Sequence, residues 1–331
     1  MKKITIFTDA WDPQINGVVT TLKTTVAHLE SRGYAVKVIH PGLYKLTVPL
    51  QPSTGIYMPL MPLGIVDDEV QETDHIHIAT EGSIGLAARY ACSKKKRKYT
   101  TSFHTKYPEY LYEHAYIPPR VTGRYFRWFH RSSNSVLVTT PSMVDYCNNL
   151  GIKNLKVWSR GVDTSIFKPL DIKKPTRDTI SSVYVGRISA EKNLEAYLSI
   201  ANPMIKKTLI GDGPQLLDYK SRYPDAVFLG KMDKYQIAAE LPKHDVFAWP
   251  SLTDTFGLVV LEAMACGLPV AGFDNDVNRY IIEDGVSGFL VKKHLELAIE
   301  DAIHLTREDA VARAQQFSWE AATDQFINSL V

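Results

Sequence analysis

Two acidic residues eight positions apart carry the strongest chemical signal in this sequence. They are Asp254 and Glu262, within the segment PSLTDTFGLVVLEAMACGLPV. The pattern predicts that a strand ends before the segment and that Phe256 and Gly257 open a helix, with Glu262 on its second turn. Because a carboxylate in an apolar run is costly to bury alone, a hydroxyl-rich ligand such as a ribose would suit it. The N–H groups of Gly257 and Leu258 at the helix start would face a phosphate.

Basic residues and glycines follow two other predicted strands. Arg187 and Lys192 lie five positions apart in the segment GRISAEK, around a helix start, where they would clamp a diphosphate. Asn16 and Gly17 end the loop after the first strand and open a helix, so the backbone there would approach a phosphate closely. The alternative interpretations are a solvated basic loop and a long surface loop with a glycine cap. The lack of a GxGxxG pattern in this first loop argues against a dinucleotide dehydrogenase.

Strands must position these loops, and short β-branched apolar segments alternate with helical patterns along the chain. Ten strands are predicted, at Ile4–Thr8, Ala35–His40, His75–Ile78, Lys98–Phe103, Val136–Thr139, Ser182–Val185, Lys207–Ile210, Val227–Leu229, Val246–Trp249 and Val270–Phe273. Helices are predicted between them, at Gly17–Arg32, Gly82–Cys92, Pro141–Leu150, Asn193–Ile200, Pro214–Tyr223, Met232–Leu241 and Phe256–Cys266. This alternation predicts an α/β fold of two doubly wound domains, with ligands at the carboxyl ends of the strands. A polar stretch with two prolines, Lys168–Thr179, is the predicted linker.

Length and composition agree with a globular protein of two domains. The 331 residues correspond to two domains at roughly 100–200 residues each, and a 45% apolar content excludes a disordered or collagen-like chain. Three cysteines far apart, without a CxxC pattern, argue against a disulfide framework or a zinc site. The N-terminal residues are typical of a buried first strand rather than a signal peptide, and the apolar runs are too interrupted to span a bilayer. We therefore expect a cytoplasmic protein.

Positive charge is concentrated in one part of the chain, although the formal net charge is only +2. Between Arg89 and Arg131, eleven lysines and arginines stand against two acids. The segment contains a basic run and four arginines spaced three or four residues apart on a predicted helix: Lys94, Lys95, Lys96, Arg97 and Lys98, then Arg120, Arg124, Arg127 and Arg131. Aromatic residues flank the arginines, which fits either inward packing or a footprint on an anionic membrane surface. A nucleic-acid site is disfavoured because the segment has no RNP or KH signature.

Together these motifs resemble the retaining nucleotide-sugar glycosyltransferases of family 4. Asp254 and Glu262 correspond to the family's pair of acids, with Asp in place of the usual first Glu. The GRISAEK segment resembles the family's donor-phosphate clamp, and LIGDGP at 209–214 resembles its glycine-proline turn. Four more strings resemble the branch of bacterial GDP-mannose-dependent α-mannosyltransferases and glycosyl-diacylglycerol synthases: PQINGV at 13–18, ATEG at 79–82, SFHTKYPEY at 102–110 and WSRGVD at 158–163. The resemblance covers nearly the whole chain and implies the GT-B fold, two Rossmann-like doubly wound domains facing across a cleft.

The resemblance implies a role for each donor-side residue. Glu262 would hydrogen-bond the ribose, and Asp254 would face the hydroxyl groups of the donor sugar. Arg187 and Lys192 would neutralise the leaving diphosphate, and Gly17 would contact the same phosphates when the domains close. The donor-binding set is completed by three residues at a helix start: Phe256, Gly257 and Leu258. GDP-linked and UDP-linked sugars both stay open as donors, and neither a cofactor nor a metal is expected.

On the acceptor side, the resemblance points to the first domain. His104 matches a histidine that lies beside the transferred sugar. Asp9, Glu81 and Glu109 are candidates to bind or deprotonate the acceptor, with helix caps or surface acids as the alternative interpretation. Paired acids of the glycosidase type are not evident in the first domain. Retention then implies attack on the face that the leaving phosphate occupies, with that phosphate helping to accept the acceptor proton.

The same resemblance sets the domain boundaries and the acceptor class. We expect an acceptor-side domain at 1–168, joined by a C-terminal crossover helix at 318–331, and a nucleotide-sugar-binding domain at 169–317. The expected reaction moves a hexose or uronic acid to a diacylglycerol-type lipid, with the protein bound peripherally to the inner face of the cytoplasmic membrane. The alternatives are transfer to a soluble or polyprenyl-linked glycan, and a nucleotide-sugar epimerase of the same fold. The sequence leaves the oligomeric state open.

Overall fold

The computed structural model describes residues 2–14, 16–51, 56–60, 62–106, 108, 116–170 and 178–331. The chain forms two compact units: unit 1 is Met1–Arg160 with Trp319–Val331, and unit 2 is Gly161–Ser318. The first boundary lies at Arg160 rather than at Lys168, because Val162 and Phe167 are buried in the core of unit 2. Most of the expected linker lies outside the described residues.

Unit 1 is built around a parallel sheet of six strands. Its elements are, in chain order, β1 (Lys3–Phe7), α1 (Gly17–Ser31), β2 (Ala35–Ile39), β3 (Thr47–Gln51), β4 (Ile56–Pro59), α2 (Leu63–Glu72), β5 (His75–Ile78), α3 (Ser83–Lys95), β6 (Thr100–Phe103), α4 (Pro119–His130), β7 (Ser135–Val138), α5 (Pro141–Asn149) and β8 (Leu155–Val157). The strand order is β2-β1-β5-β6-β7-β8, and Ile4 of β1 lies between Val36 of β2 and His75 of β5. Strands β3 and β4 form a separate antiparallel pair.

Unit 2 contains a second parallel sheet of six strands. Its elements are β9 (Ile180–Val185), α6 (Glu195–Leu198), β10 (Ile205–Ile210), α7 (Leu216–Arg222), β11 (Val227–Gly230), α8 (Lys234–Glu240), β12 (Val246–Trp249), α9 (Leu258–Ala265), β13 (Val270–Phe273), α10 (Asp276–Ile281), β14 (Gly288–Val291), α11 (Leu295–Ala302) and α12 (Arg307–Gln315). The strand order is β11-β10-β9-β12-β13-β14, and Val183 of β9 pairs with Thr208 of β10 and Phe247 of β12. Both units are therefore Rossmann-like, as the sequence predicts.

Burial on both faces explains the composition of the central strands. Every residue of β6, β7 and β12 is buried, so these strands are runs of apolar, β-branched and small residues without a charge rather than alternating patterns. In each sheet the strand order reverses once, between β1 and β5 in unit 1 and between β9 and β12 in unit 2. Loops that leave two such strands diverge to opposite faces of the sheet, and ligands of α/β folds bind in the crevice between them.

The last helix of the chain, α13 (Trp319–Ile327), belongs to unit 1. Its buried Phe326 contacts the rings of His77 and Trp158, with centroid distances of 4.9 and 5.0 Å. The side chain of Gln325 accepts a hydrogen bond of 2.7 Å from the backbone N–H of Ser159. The segment thus completes the core of unit 1 after the chain has passed through unit 2.

The turn after β10 packs against the loop after β9 without room for a side chain. Gly211 has a φ of +145°, and a Cβ atom at this position would lie 1.8 Å from the carbonyl oxygen of Gly186. A Cβ atom at Gly213 would lie 2.3 Å from the carbonyl oxygen of Ile188. The Ile188 N–H also donates to the Asp212 carbonyl at 2.9 Å. The backbones of these two loops therefore hold one another in place.

Replacing Gly211 by alanine is expected to destabilise unit 2 by about 3 kcal/mol or more, because the new methyl group meets backbone that cannot rotate away. Gly230→Ala is the matched control: it has a φ of +77° but nothing within 4 Å of its Cβ position, so only about 1 kcal/mol is expected. Urea unfolding of both variants measures the difference. Equal losses would contradict the steric explanation.

Candidate functional site

Two loops of unit 2 meet at the point where its strand order reverses. The first follows β9 and contains Lys192, and the second follows β12 and contains Asp254. Lys192 Nζ lies 2.6 Å from Asp254 Oδ1, and both side chains are partly exposed. The Asn193 side-chain amide donates to the Pro250 carbonyl at 3.1 Å, which ties the loops together a second time. The structure thus joins two residues that the sequence places 62 positions apart.

The ion pair leaves one oxygen of its carboxylate unused. Asp254 Oδ2 is buried and has no hydrogen-bond partner among the described residues. On the lysine side, the Lys192 ammonium lies 5.7 Å from the centroid of the Trp249 ring, the last residue of β12. The sequence analysis did not select Trp249, although it directly precedes the segment that was selected. Lys192 therefore has an anionic partner and an aromatic partner.

Arg187, the other basic residue of this loop, is exposed to solvent. The main chain of Arg187 is held by a buried side chain: the Tyr184 hydroxyl donates a hydrogen bond of 3.0 Å to the Arg187 carbonyl. Asp212 in the neighbouring turn accepts a hydrogen bond of 2.7 Å from the Gly213 N–H, as expected of a turn residue. The guanidinium of Arg187 is thus free to reach an anion, while its main chain is held.

The helix that carries Glu262 begins where the sequence predicts a phosphate site. Gly257 has a φ of +99°, a left-handed conformation that suits glycine, and α9 starts at Leu258. The Phe256 ring is buried against Tyr280 and Phe317, so this residue offers a ligand only its backbone. The arrangement presents main-chain N–H groups and no charged side chain at the helix start.

Glu262 lies one turn into α9 and is half-buried. Burial raises the pKa of its carboxyl group to about 7, and the positive charge of Lys234 opposes this shift in part. Its side chain has no hydrogen-bond partner among the described residues. A ligand that donates hydrogen bonds to this carboxylate would therefore favour its ionised form.

In unit 1, the structure shows Asp9 as a cap of helix α3. Its carboxylate accepts hydrogen bonds from the Ile84 N–H at 2.9 Å and from the Thr80 hydroxyl at 2.8 Å. A Cβ atom at Gly82 would lie 2.4 Å from Asp9 Cγ, so the close approach requires glycine there. Burial raises the pKa of Asp9, and these hydrogen bonds offset part of the rise. The sequence left a helix cap open as one role for Asp9, and the structure shows this role. Both carboxylate oxygens accept hydrogen bonds in the cap.

Glu81 is also buried and paired inside unit 1. His130 Nε2 lies 3.2 Å from its Oε1, and the other ring nitrogen of His130 is hydrogen-bonded to the Thr101 hydroxyl at 2.9 Å. The Tyr125 hydroxyl donates to the Glu81 carbonyl. Burial raises the pKa of Glu81, and His130 opposes the rise. Glu109, the third acidic candidate, lies outside the described residues.

His104 is buried at the end of β6 beside an arginine that the sequence analysis did not assign a role. Arg160 donates from Nη2 to His104 Nδ1 at 3.0 Å, so the neutral imidazole carries its proton on Nε2. Burial and the Arg160 charge lower the pKa of His104 well below its usual value. The buried Arg160 also donates to the carbonyls of Trp158 and Ser159, and burial lowers its pKa to about 9. Arg160 therefore fixes the tautomer of His104.

The start of α1 is capped by its own chain. Asn16 Oδ1 accepts hydrogen bonds of 3.0 Å from the N–H groups of both Val18 and Val19. Gly17 is the first residue of the helix. The cap of this helix is thus Asn16 rather than a glycine, and contact of Gly17 with a phosphate stays a prediction.

A cavity of about 200 Å³ lies beside this loop in unit 1, lined by Asp12, Pro13, Gln14, Pro41, Gly42, Tyr44 and Thr47. Burial raises the pKa of the Tyr44 hydroxyl to about 12. Six large apolar side chains in the chain segment around the cavity are exposed: Leu43, Leu46, Val48, Leu60, Leu63 and Ile65. The sequence analysis selected Pro13 and Gln14 of the cavity wall as part of a motif, but not the exposed apolar residues around it.

The basic run predicted as one surface is divided in the structure. Lys95 and Arg97 donate to main-chain carbonyls at the end of α2, including those of Asp67 and Val70. The other three side chains are exposed: Lys94, Lys96 and Lys98. The run therefore offers three free positive charges rather than five.

Helix α4 exposes all four predicted arginines: Arg120, Arg124, Arg127 and Arg131. Its aromatic residues separate into two groups. Phe126 and Phe129 are buried, whereas Trp128 is 41% exposed and its ring lies 3.9 Å from the Arg89 guanidinium. The outer face of α4 thus combines positive charge with an exposed indole.

Among the residues that the structure describes, no group of three or more His, Cys, Asp or Glu side chains is arranged to hold a metal ion. None of the described helices combines the length and the apolar character needed to cross a bilayer.

Two family models match this chain, one over each unit. The model described as Glycosyltransferase Family 4 matches residues 15–166, and the model described as Glycosyl transferases group 1 matches residues 180–309. The chain belongs to the family 4 glycosyltransferases. The family resemblance inferred from the motifs is thereby confirmed.

Relatives of this family 4 glycosyltransferase match along most of its length. The GDP-mannose-dependent alpha-mannosyltransferase of Corynebacterium glutamicum is 25% identical, over 98% of this chain and 85% of the relative. The alpha-monoglucosyldiacylglycerol synthase of Streptococcus pneumoniae is 25% identical, over 89% of this chain and 76% of the relative. The crystal structure of Anabaena HepE in complex with UDP and glucose superposes with a TM-score of 0.73 at 18% identity, over 99% of each chain. The shared architecture confirms the expected GT-B fold.

The raised pKa of Glu262 makes the stability of this glycosyltransferase depend on pH. Between the ordinary pKa of 4.5 and the folded value of about 7, the folded protein binds more protons than the unfolded chain, so stability falls as the pH rises through this window. Glu262→Gln removes the effect. We expect it to stabilise the free protein at pH 8 by about 1–3 kcal/mol, and by much less at pH 5.

Thermal unfolding at the two pH values measures this difference, with a gain in Tm of about 3 °C or more expected at pH 8 only. Glu240→Gln serves as the control, because Glu240 pairs with Lys243 on the surface of unit 2 and should bring no gain at pH 8. A gain of the same size at pH 5 and pH 8 would show that the charge of Glu262 is not its cause.

Proposed function

We propose that this glycosyltransferase moves a hexose or uronic acid from a nucleotide-sugar to a lipid acceptor, with retention of anomeric configuration. The observation that carries the proposal is the ion pair between Lys192 and Asp254 where the strand order of unit 2 reverses. It puts a cation and a carboxylate side by side at the edge where α/β folds bind ligands. A sugar diphosphate needs both, since its phosphates are anionic and its sugar hydroxyls donate hydrogen bonds.

Each donor-side residue has a role that follows from its surroundings. Lys192 and the exposed Arg187 stabilise the negative charge that develops on the leaving diphosphate, the main electrostatic demand of the reaction. Asp254 Oδ2, which is buried without a partner, accepts a hydrogen bond from a sugar hydroxyl. Glu262 accepts hydrogen bonds from the ribose, which offset the cost of its burial. The backbone at Gly257 faces phosphate.

The names of related proteins support a nucleotide-sugar donor. The Corynebacterium relative is GDP-mannose-dependent, and HepE was crystallised with UDP and glucose. Both nucleotides remain candidates for this chain, because the donor-side residues named above contact the parts that the two donors share.

The engagement of the acids in unit 1 favours a same-face mechanism. Asp9 caps α3 and Glu81 pairs with His130, so neither carboxylate is free to act as a covalent nucleophile. In the proposed step, the bond between the anomeric carbon and the diphosphate oxygen breaks while the acceptor oxygen bonds to that carbon. The acceptor proton passes to a departing phosphate oxygen. His104, with its proton on Nε2, donates a hydrogen bond to the transferred sugar.

Two surfaces of unit 1 support a lipid acceptor at an anionic membrane. The outer face of α4 offers Arg120, Arg124 and Arg127 with Trp128, a combination typical of membrane-surface helices. The cavity beside Tyr44 adjoins a segment rich in exposed apolar side chains, which suits a small polar headgroup with acyl chains. The Streptococcus relative is named as a synthase of a glucosyl diacylglycerol. The membrane surface, rather than solution, is therefore the proposed place of reaction.

Transfer to diacylglycerol in mixed vesicles tests the proposed reaction, with GDP-mannose, UDP-glucose and UDP-glucuronate offered separately. We expect one donor to give a glycolipid of retained configuration, identified by mass spectrometry and NMR. Lys192→Ala and Glu262→Ala should each lower kcat/KM by at least about 100-fold, because each removes a group bound to the donor. Lys243→Ala is the control, since this lysine also pairs with a carboxylate in unit 2 but lies in the turn between α8 and β12. Near wild-type turnover in both test variants would refute the donor site.

Flotation with anionic vesicles tests the membrane surface. Wild-type protein should float with the vesicles at low salt and remain unbound, in the bottom fraction, at high salt. Changing Arg120, Arg124 and Arg127 to glutamine should reduce partitioning by about 100-fold or more, since each basic residue contributes about 1 kcal/mol. The control variant changes three exposed lysines of unit 2 to glutamine: Lys243, Lys292 and Lys293. If wild-type protein fails to float at low salt, the acceptor is a soluble glycan instead.

A further inference from the structure

The indole of Trp249 belongs to a stack of three aromatic rings inside unit 2. Its ring centroid lies 6.0 Å from that of Tyr184, with 17° between the planes, and 6.0 Å from that of Phe247, with 22° between the planes. All three side chains are almost fully buried. Tyr184 and Phe247 come from β9 and β12, the two strands between which the strand order reverses. The stack is therefore a rigid base beneath the loops of the donor site.

Two rings of the stack, those of Trp249 and Tyr184, contact the basic loop. The Trp249 ring lies 5.7 Å from Lys192 Nζ, and the Tyr184 hydroxyl donates to the Arg187 carbonyl at 3.0 Å. A Cβ atom at Gly186 would lie 2.4 Å from the Tyr184 hydroxyl oxygen, which shows how closely the loop backbone rests on the stack. The loop that carries both cations is thus held from one side by aromatic rings.

A tryptophan at this position has a cost that a phenylalanine would avoid. The Trp249 Nε1 atom is buried and has no hydrogen-bond partner among the described residues, and an unpaired buried N–H destabilises the fold. Tryptophan is, however, the aromatic residue whose ring attracts a cation most strongly. The contact with Lys192 gives the indole a function that its packing alone does not require.

We propose that Trp249 is a positioning residue for Lys192. When a sugar hydroxyl draws Asp254 away, the ring keeps the ammonium in place, and because the contact with a ring face has no fixed N–H direction, the N–H groups stay available to phosphate. This inference rests on the proposed function, in which Lys192 binds the donor diphosphate. It adds that the strength of this binding depends on the ring of Trp249 as well as on the charge of Lys192.

Binding of UDP and of GDP to the full chain, measured by isothermal titration calorimetry, tests the inference without the need for an acceptor. Trp249→Leu should weaken binding of the preferred diphosphate about tenfold, the size expected of a partly desolvated contact between a cation and an aromatic ring. Trp249→Phe keeps a ring that attracts a cation less strongly than the indole does, so it should recover only part of this loss. Phe247→Leu is the matched control, because it removes a buried ring from the same stack that is not paired with Lys192.

A double-mutant cycle separates positioning from general packing. If Trp249 acts through Lys192, then Trp249→Leu should cost less than twofold once Lys192→Met is present. If the losses of affinity from Trp249→Leu and Lys192→Met multiply in the double variant, the inference is overturned. It is also overturned if Phe247→Leu loses as much affinity as Trp249→Leu. Thermal unfolding of each variant confirms that the measurements compare folded proteins. If Lys192→Met alone leaves the dissociation constants of both UDP and GDP unchanged, then it is the proposed donor site that fails.

Discussion

The constraint on which both units depend is that the central strands of a parallel sheet are covered on both faces, where an unpaired charge is costly to bury. Strands such as β7 and β12 are buried along their whole length and carry no charged side chain, and the charges of Lys192 and Asp254 lie in the loops that follow β9 and β12. Where the strand order reverses, two of these loops meet, and groups far apart in sequence become neighbours. Lys192 and Asp254 are 2.6 Å apart for this reason. The chemistry of unit 2 is therefore a consequence of its strand order.

Burial of a carboxylate is costly, and three acids of the two units differ in what offsets this cost. Asp9 is stabilised by the N–H groups of a helix start, and Glu81 by a histidine. Glu262 has no such partner among the described residues, and its raised pKa is the result. A carboxylate that is satisfied within the fold supports structure, whereas one that has no partner in the fold gains most from a ligand. This contrast is the reason that Glu262, rather than Asp9 or Glu81, is proposed as a ligand-binding acid.

The sequence predicts the central strands well because both faces of each strand are buried, which leaves short runs of apolar, β-branched and small residues without a charge. It does not reveal β8 or β14, which are edge strands of three and four residues with half-buried side chains. In the site, the two donor loops are recognisable from their residues, but the cap between Asp9 and Ile84 spans 75 positions and depends on how the strands pair. Likewise, the sequence does not distinguish Lys94 from Lys95, but only Lys95 donates a hydrogen bond to a main-chain carbonyl of α2. Contacts between residues far apart in the chain therefore cannot be predicted from local sequence patterns.

The return of α13 to unit 1 affects the order in which the chain can mature during synthesis. Domains generally fold from the N-terminus as they leave the ribosome. Here, however, the core around His77 and Trp158 stays incomplete until Phe326 has been made, which is after the whole of unit 2. Unit 2 is already complete at that stage, because all of its residues precede α13. The half of the enzyme that is synthesised first is therefore the half that finishes folding last, and ribosomes that stop early release chains with an open first domain.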